Sequence, residues 1–412
     1  MIRQNFNADW TVEKGDGNSR MNSFLGNTQT KTVHLPYDAM IHEARTPDTK
    51  NGAQTGFYPG GEYIFQKHFT APQAWQGKPV SLVFEGVYQT ALVYLNGWLL
   101  TRNVNGYAEF TVEAGPYLKY GADNLLKVIA DNSLEPNSRW YTGSGIYRPV
   151  RLLVGNKVYL PQDTVRITTR EADEGFALLD VTAQVQTAST VTERVTLQQT
   201  ICREGTAVLT DRQNLLLQPG ENRTVSFRYC VDSPALWSPE NPNLYTSTMQ
   251  VLEGEEELDR EETRFGIRTL SIDAAHGVRI NGQTVKLRGA CIHHDNGVLG
   301  ACCYPGAEYR RVKILKEQGF NALRIAHNPA SRALLNACDE LGVYVMDECF
   351  DGWYIPKDYH DYSRQFMAHY QDDLRSMVEK DRNHPCVIFY SIGNEVTETA
   401  QEKGIALAAK MR

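Results

Sequence analysis

An amide and a carboxylate at the end of one apolar run carry the first chemical signal. Cys386–Ile392 (CVIFYSI) is almost wholly apolar, with β-branched and aromatic members, and suits a short strand buried on both faces. Pro385 stops the preceding helix; Gly393 ends the run, and Asn394 and Glu395 stand together at its carboxyl end. A carboxyl group there can protonate a leaving oxygen while the amide holds a neighbouring hydroxyl. The same two residues would equally serve as a helix cap and a first-turn acid.

The pattern recurs upstream. Val285–Ile292 is strand-like and ends in His293-His294-Asp295. Asn321–Ala326 carries Arg324 and ends in His327-Asn328-Pro329, and Val343–Met346 ends in Asp347-Glu348. Each ending alone has an ordinary structural reading: a histidine in a core or cap, or Asp347-Glu348 as a helix cap or as the buried partner of Arg324. Four in succession at the same end of a parallel sheet match the rim where an α/β barrel gathers its chemistry. His293, His294, Asp295, His327, Asp347 and Glu348 are all potential metal ligands, but no H-E-x-x-H or comparable spacing appears, so neither metal nor cofactor is expected. Carboxylate chemistry on a hydroxyl-rich substrate fits better, since Phe350, Trp353, Tyr354 and Tyr359 offer aromatic faces to sugar rings.

The elements that must position these residues alternate strand and helix from about residue 268. A helix over Glu308–Gln318 closes at Gly319; Ser331 caps a helix with Leu334, Leu335, Cys338 and Leu341 inward, closed by Gly342; a third helix aligns Phe366, Tyr370, Leu374 and Met377. Such βαβ units predict the first half of a TIM barrel over 268–412. Residues 158–267 hold evenly spaced alternating strands (VRITTR, LLDVTAQVQT, VTLQQTICR, VSFRYCV, YTSTMQVL) and no chemical cluster, which predicts an immunoglobulin-like sandwich acting as a spacer. Residues 1–157 predict a further all-β, jelly-roll-like sandwich, with Asn96-Gly97 and Asn105-Gly106 as hairpin turns. Within it SRWYTGSGIYRPV (Ser138–Val150) reads either as a ligand-contacting loop or as a glycine-rich corner anchored by Trp140.

Composition narrows the class. A chain of 412 residues needs two or three cores. The formal net charge of -7 argues against nucleic acid or an anionic membrane as partner, and no run of about 18 apolar residues occurs. The start, MIRQNFNADW, lacks an apolar signal region, and eight cysteines without a C-x-x-C pair suit free thiols in the cytoplasm.

With these residues in view, the chain resembles glycoside hydrolase family 2. NHPCVIFYSIGNE (Asn383–Glu395) is similar to that family's acid/base signature, NALRIAHNP (Asn321–Pro329) and RGACIHHDNGVLG (Arg288–Gly300) to its second and first strand signatures, and GSGIYRPV (Gly143–Val150) to a segment of its sugar-binding-like jelly roll. The resemblance implies a retaining exo-acting β-glycosidase, most of all on β-D-galactosides, with β-glucuronides second and a non-catalytic carbohydrate-binding module as the alternative of another class. It implies Glu395 as general acid/base, Asn394 on the sugar 2-hydroxyl, His293 and His327 against substrate, and Arg324 and Asp347 supporting the floor. Arg139 stands where relatives place a sugar-binding Asp. The Glu and His that hold magnesium in one galactosidase of the family are not matched. Because the family carries its nucleophilic Glu on a later strand, the resemblance also implies that these 412 residues are the N-terminal portion of a longer enzyme, inactive alone, and allows a homo-oligomer for the full-length protein.

Overall fold

The computed structural model describes residues 1–15 and 30–412. The first sandwich faces a six-stranded antiparallel sheet against a four-stranded one. The larger runs in the order Lys31–Val33, Trp10–Lys14, Gly61–Thr70, Asp123–Asn132, Thr90–Leu95 and Trp98–Asn103; the smaller holds Ile2–Asn5, Val150–Val154, Val80–Phe84 and Phe110–Glu113. Strict alternation in Asp123–Asn132 turns Leu126, Val128 and Ala130 inward to meet Leu82, Phe84 and Leu152 of the opposite sheet. Asn96 and Gly97 both take positive φ, 53° and 91°, and close the hairpin expected between Thr90–Leu95 and Trp98–Asn103.

Asn105-Gly106 makes no hairpin, because the strands on either side belong to different sheets. Asn105 instead folds its side chain back, Oδ1 accepting from the backbone N–H groups of Tyr107 and Ala108 at 3.0 and 3.2 Å.

The second sandwich sets Phe176–Thr187, flanked by Arg166–Ala172 and Asn222–Asp232, against the sheet Thr206–Leu217, Glu193–Arg203, Tyr245–Glu253 and Glu256–Phe265. Leu179, Val181, Leu197, Met249 and Val251 fill it. Two of these strands, Thr206–Leu217 and Glu256–Phe265, escape sequence reading because they lie at sheet edges and are largely exposed and polar. Trp237, in the proline-rich loop of this block, leaves it altogether: it is fully buried in the next core, its ring 5.8 Å from that of Tyr344 and its Nε1 donating to Asp339 O at 2.9 Å.

The last body is a parallel sheet of β1 (Gly289–Ile292), β2 (Ala322–Ile325), β3 (Tyr344–Glu348) and β4 (Val387–Ser391) in that order, with α1 (Pro305–Glu317), α2 (Arg332–Leu341) and α3 (Ser363–Asp381) as connections and α4 (Glu402–Met411) after it. Ser331 Oγ accepts from Leu334 N at 3.1 Å and Gly342 takes φ 69° at the other end of α2, as its sequence requires. The expected strand Val285–Ile292 begins only at Gly289, since Asn321 bonds the backbone of Lys286 and Arg288 on the way in. β4 is not buried on both faces as its composition suggests. It lies at the edge of the sheet, and Tyr390 keeps 39% of its surface exposed.

Candidate active site

Adjacent residues on a strand point to opposite faces, and this sorts the four polar endings. On β2 and β3 the face that meets at the rim takes Arg324 and Glu348. Arg324 Nη2 donates to Glu348 Oε2 and Oε1 at 2.7 and 2.9 Å, and its Nε to Oε2 at 3.1 Å. The fully buried Glu348 side chain also accepts from Ser391 Oγ at 2.7 Å and from His327 Nδ1 at 2.9 Å. Burial alone would push this carboxyl up; the donors from His327, Ser391 and Arg324 outweigh it and hold the group below its ordinary value. Its ionised state assigns the His327 proton to Nδ1.

Arg324 Nη2 also donates to Asn394 Oδ1 at 2.9 Å, and Asn394 Nδ2 donates to Asp351 Oδ1 at 3.0 Å. Neither end of this amide is spent on capping a helix, so Asn394 is not the helix cap its position allows. Asp351 Oδ1 further accepts from Arg139 Nη2 at 2.7 Å and Lys357 Nζ at 3.1 Å. Burial opposes its ionisation, but Asn394, Arg139 and Lys357 hold the carboxyl below its usual range. Glu395, its side chain 71% exposed, extends past this cluster with Oε2 3.7 Å from Arg139 Nη1 and 3.9 Å from Lys357 Nζ.

Trp140 closes one side. Its ring centroid lies 5.1 Å from that of His293 and 5.4 Å from that of His327, and the two imidazoles are 5.3 Å apart. Its Nε1 donates to Tyr107 OH at 3.0 Å, which fixes the indole to the first sandwich. Burial, with His327 nearby, lowers the pKa of His293 and favours the neutral ring.

Six of the residues singled out by sequence therefore converge: Arg139, His293, Arg324, His327, Asn394 and Glu395. Asp347 does not join them. It faces the opposite side of β3 from Glu348, is fully buried, and accepts from Ala330 N at 2.9 Å. Glu348 occupies the place expected of it beside Arg324. His294 likewise turns from the rim and donates Nε2–H to Thr142 O at 2.9 Å between Tyr107 and Tyr147. Asp351 and Lys357 lie in a loop with no periodicity, which gives a sequence reading no pattern to find them by.

A second cluster, Asp339, His384 and Cys386, brings a carboxylate, an imidazole and a thiol within 4.8 Å of one another before β4. Asp339 already accepts from Cys386 N at 3.1 Å and pairs with His384 Nδ1 at 2.5 Å, and burial pushes the Cys386 thiol well above its usual range. It is a clasp on the Asn-His-Pro turn.

A parallel sheet whose carboxyl-end rim gathers an acid, an amide, two imidazoles and an indole has its polar groups at the end where barrel enzymes place their active sites. The description "Glycosyl hydrolases family 2, TIM barrel domain" matches residues 274–412, "Glycosyl hydrolases family 2" matches 158–268, and "Glycosyl hydrolase 2 galactose-binding domain-like" matches 10–187. The chain belongs to glycosyl hydrolase family 2. A beta-galactosidase of Bacteroides ovatus is 38% identical over 96% of this chain and 47% of its own length. The crystal structure of a family 2 member from Bacteroides cellulosilyticus superposes with a TM-score of 0.96 at 35% identity, covering 100% of this chain and 54% of that one. A Bacteroides uniformis beta-glucuronidase structure gives 0.85 at 26% identity, covering 100% of this chain and 50% of that one. The chain thus spans about half the length of the relatives it matches. Among the described residues, no helix is long and apolar enough to cross a membrane.

Proposed function

We propose that this chain carries the acid/base half of a retaining exo-β-glycosidase that hydrolyses terminal non-reducing β-linked sugars, β-D-galactosides foremost. The supporting observation is Asn394, held by Arg324 on one side and Asp351 on the other, next to an exposed Glu395 and facing the Trp140–His293–His327 wall. An amide fixed at both ends is oriented for a sugar hydroxyl without further ordering. Glu395 gives its proton to the leaving glycosidic oxygen. Arg139 and Lys357 then lie beside the carboxylate charge that develops. His293 and His327 bound the sugar, and Arg324 with Glu348 supports the floor.

Retention needs two carboxyl groups about 5–5.5 Å apart, one of them a free nucleophile. Glu348 and Asp351 are each tied to three side-chain donors, so neither fills that role. Met1–Arg412 alone should therefore turn over no aryl β-glycoside. The test is titration of this polypeptide with a β-galactoside, followed through the His293, His327 and Trp140 ring signals. Shifts confined to these residues and lost in Asn394→Ala support the reading. Absence of shifts at saturating sugar, or turnover abolished by Glu395→Gln, would contradict it.

A β-glucuronide is the second reading. Arg139 and Lys357 balance Asp351 and Glu395 in charge, and once Glu395 is protonated the cluster carries one net positive charge, which suits a uronate. The same titration with a β-glucuronide decides between them. We place the domain divisions at 1–157, 158–267 and 268–412, and the free cysteines support a reducing compartment such as the cytoplasm.

A further inference from the structure

The loop His327–Ala330 after β2 carries the imidazole that meets Trp140, and three charged side chains from three elements hold its backbone. Arg148, at the end of the glycine-rich segment of the first sandwich and only 2% exposed, donates Nη2 to Pro329 O at 2.9 Å and Nη1 to Tyr107 O at 2.9 Å. Asp347, on the outward side of β3, accepts from Ala330 N at 2.9 Å. Lys380, buried in α3 and ion-paired with Asp381, donates Nζ to Ala330 O at 2.9 Å.

We infer that Arg148 is a positioning residue for His327, acting through the Pro329 carbonyl so that the first sandwich sets the geometry of the histidine on the barrel rim. The two arms of one guanidinium reach Tyr107, whose hydroxyl fixes Trp140, and Pro329, two residues from His327. Both rings of the Trp140–His327 contact are therefore referred to the same cation. A charge-assisted hydrogen bond to a buried carbonyl is among the stronger tethers a backbone can have. Arg suits this place because its planar fork holds two acceptors in fixed directions, a geometry that the rotatable point charge of an ammonium does not preset. Asp347 and Lys380 fix the neighbouring Ala330 peptide from the other side, leaving the register of Pro329 to Arg148.

The inference rests on the glycosidase reading only in giving His327 a substrate to face, and its test uses neither sugar nor turnover. In Met1–Arg412, the His327 ring signal, assigned through its loss in His327→Gln, should be displaced by the ring current of Trp140, whose centroid lies 5.4 Å away. Arg148→Met is expected to move that signal toward the free-histidine position and to speed exchange of the Ala330 amide by about tenfold or more. Amides of the Gly61–Thr70 strand should exchange as before. Arg148→Lys, which keeps the buried charge, should give a smaller change in the same direction. A folded Arg148→Met protein with an unchanged His327 signal and unchanged Ala330 exchange would overturn the inference. If that variant does not fold, wild-type values in Arg148→Lys would overturn it equally. Failure of the wild-type chain to bind a β-galactoside, with these changes present in Arg148→Met, would instead count against the glycosidase reading alone.

Discussion

Arg324 and Glu348 meet across neighbouring strands as a forked ion pair, with Arg324 Nη2 at 2.7 and 2.9 Å from the two carboxylate oxygens. Glu348 is fully buried whereas Arg324 keeps contact with solvent, so the pair is asymmetric. Removing the cation strands a buried charge. Arg324→Met should cost about 3 kcal/mol in urea unfolding at pH 7, and the double variant with Glu348→Leu should recover much of that. A loss in the double variant equal to the sum of the losses in Arg324→Met and Glu348→Leu alone would show that the pair is not coupled. The folded carboxyl lies below its ordinary value, so its contribution is present above the unfolded pKa and is lost as pH falls through the folded one.

His294 makes the opposite kind of titration. Burial lowers its pKa from 6.5 to about 3, so the folded ring stays neutral where an unfolded chain would bind a proton. Below pH 6.5 the unfolded state takes up that proton and gains on the fold, and stability falls as pH drops toward 3. At pH 5 this group accounts for a loss of about 2 kcal/mol relative to neutral pH. His294→Gln, which can still donate to Thr142 O, should remove that portion of the slope between pH 7 and 5 in urea unfolding. An unaltered slope would mean that the ring titrates normally.

The rim was legible in the sequence because strand ends are periodic: the apolar runs gave β1 to β4, and the residues after them fell at one edge. What periodicity could not give was which of two adjacent polar residues faces the site. His293 and His294, or Asp347 and Glu348, are equivalent in a sequence, and only the register of each strand sends one to the rim and the other to the jelly-roll interface or to the Ala330 turn. The segment Ser138–Val150 divides in the same way. Arg139 and Trp140 face the rim cluster, while Tyr147 and Arg148 are buried as interface, so the two halves of the segment face different surroundings. Asp351 and Lys357, placed by a loop, left no pattern to read.

Asp38 accounts for one glycine of that segment, Gly143. Its fully buried carboxylate accepts from Tyr141 OH at 2.6 Å, Ser144 N at 2.9 Å, Ala301 N at 2.9 Å and Met40 N at 3.0 Å, joining the first sandwich to the loop after β1. Gly143 has φ 70°, and a Cβ there would stand 2.6 Å from Ala301 Cβ and 2.9 Å from Asp38 Oδ2. Gly143→Ala combines a left-handed backbone with overpacking and should destabilise the chain by about 3 kcal/mol, read as a drop in thermal midpoint. A midpoint within error of the parent would show that the loop has room to move.

The charge cluster around Asp351 gives the choice between a neutral and an anionic sugar a direct test. Arg139 and Lys357 share this one carboxylate, with Asn394 as its neutral third donor. Asp351→Asn keeps the shape of the side chain but leaves the two cations facing Glu395 alone, so the cluster gains one net positive charge. The added attraction for an anionic sugar near a partly solvated pair of cations is about 1 kcal/mol, or roughly fivefold in affinity. The ratio of β-glucuronide to β-galactoside dissociation constants, measured by titration of Met1–Arg412 at low salt, should therefore shift by about that factor toward the glucuronide. Added salt should shrink the shift, since the cations are only part-buried. A ratio that does not move, or that moves equally at high and low salt, would place the sugar away from Arg139 and Lys357.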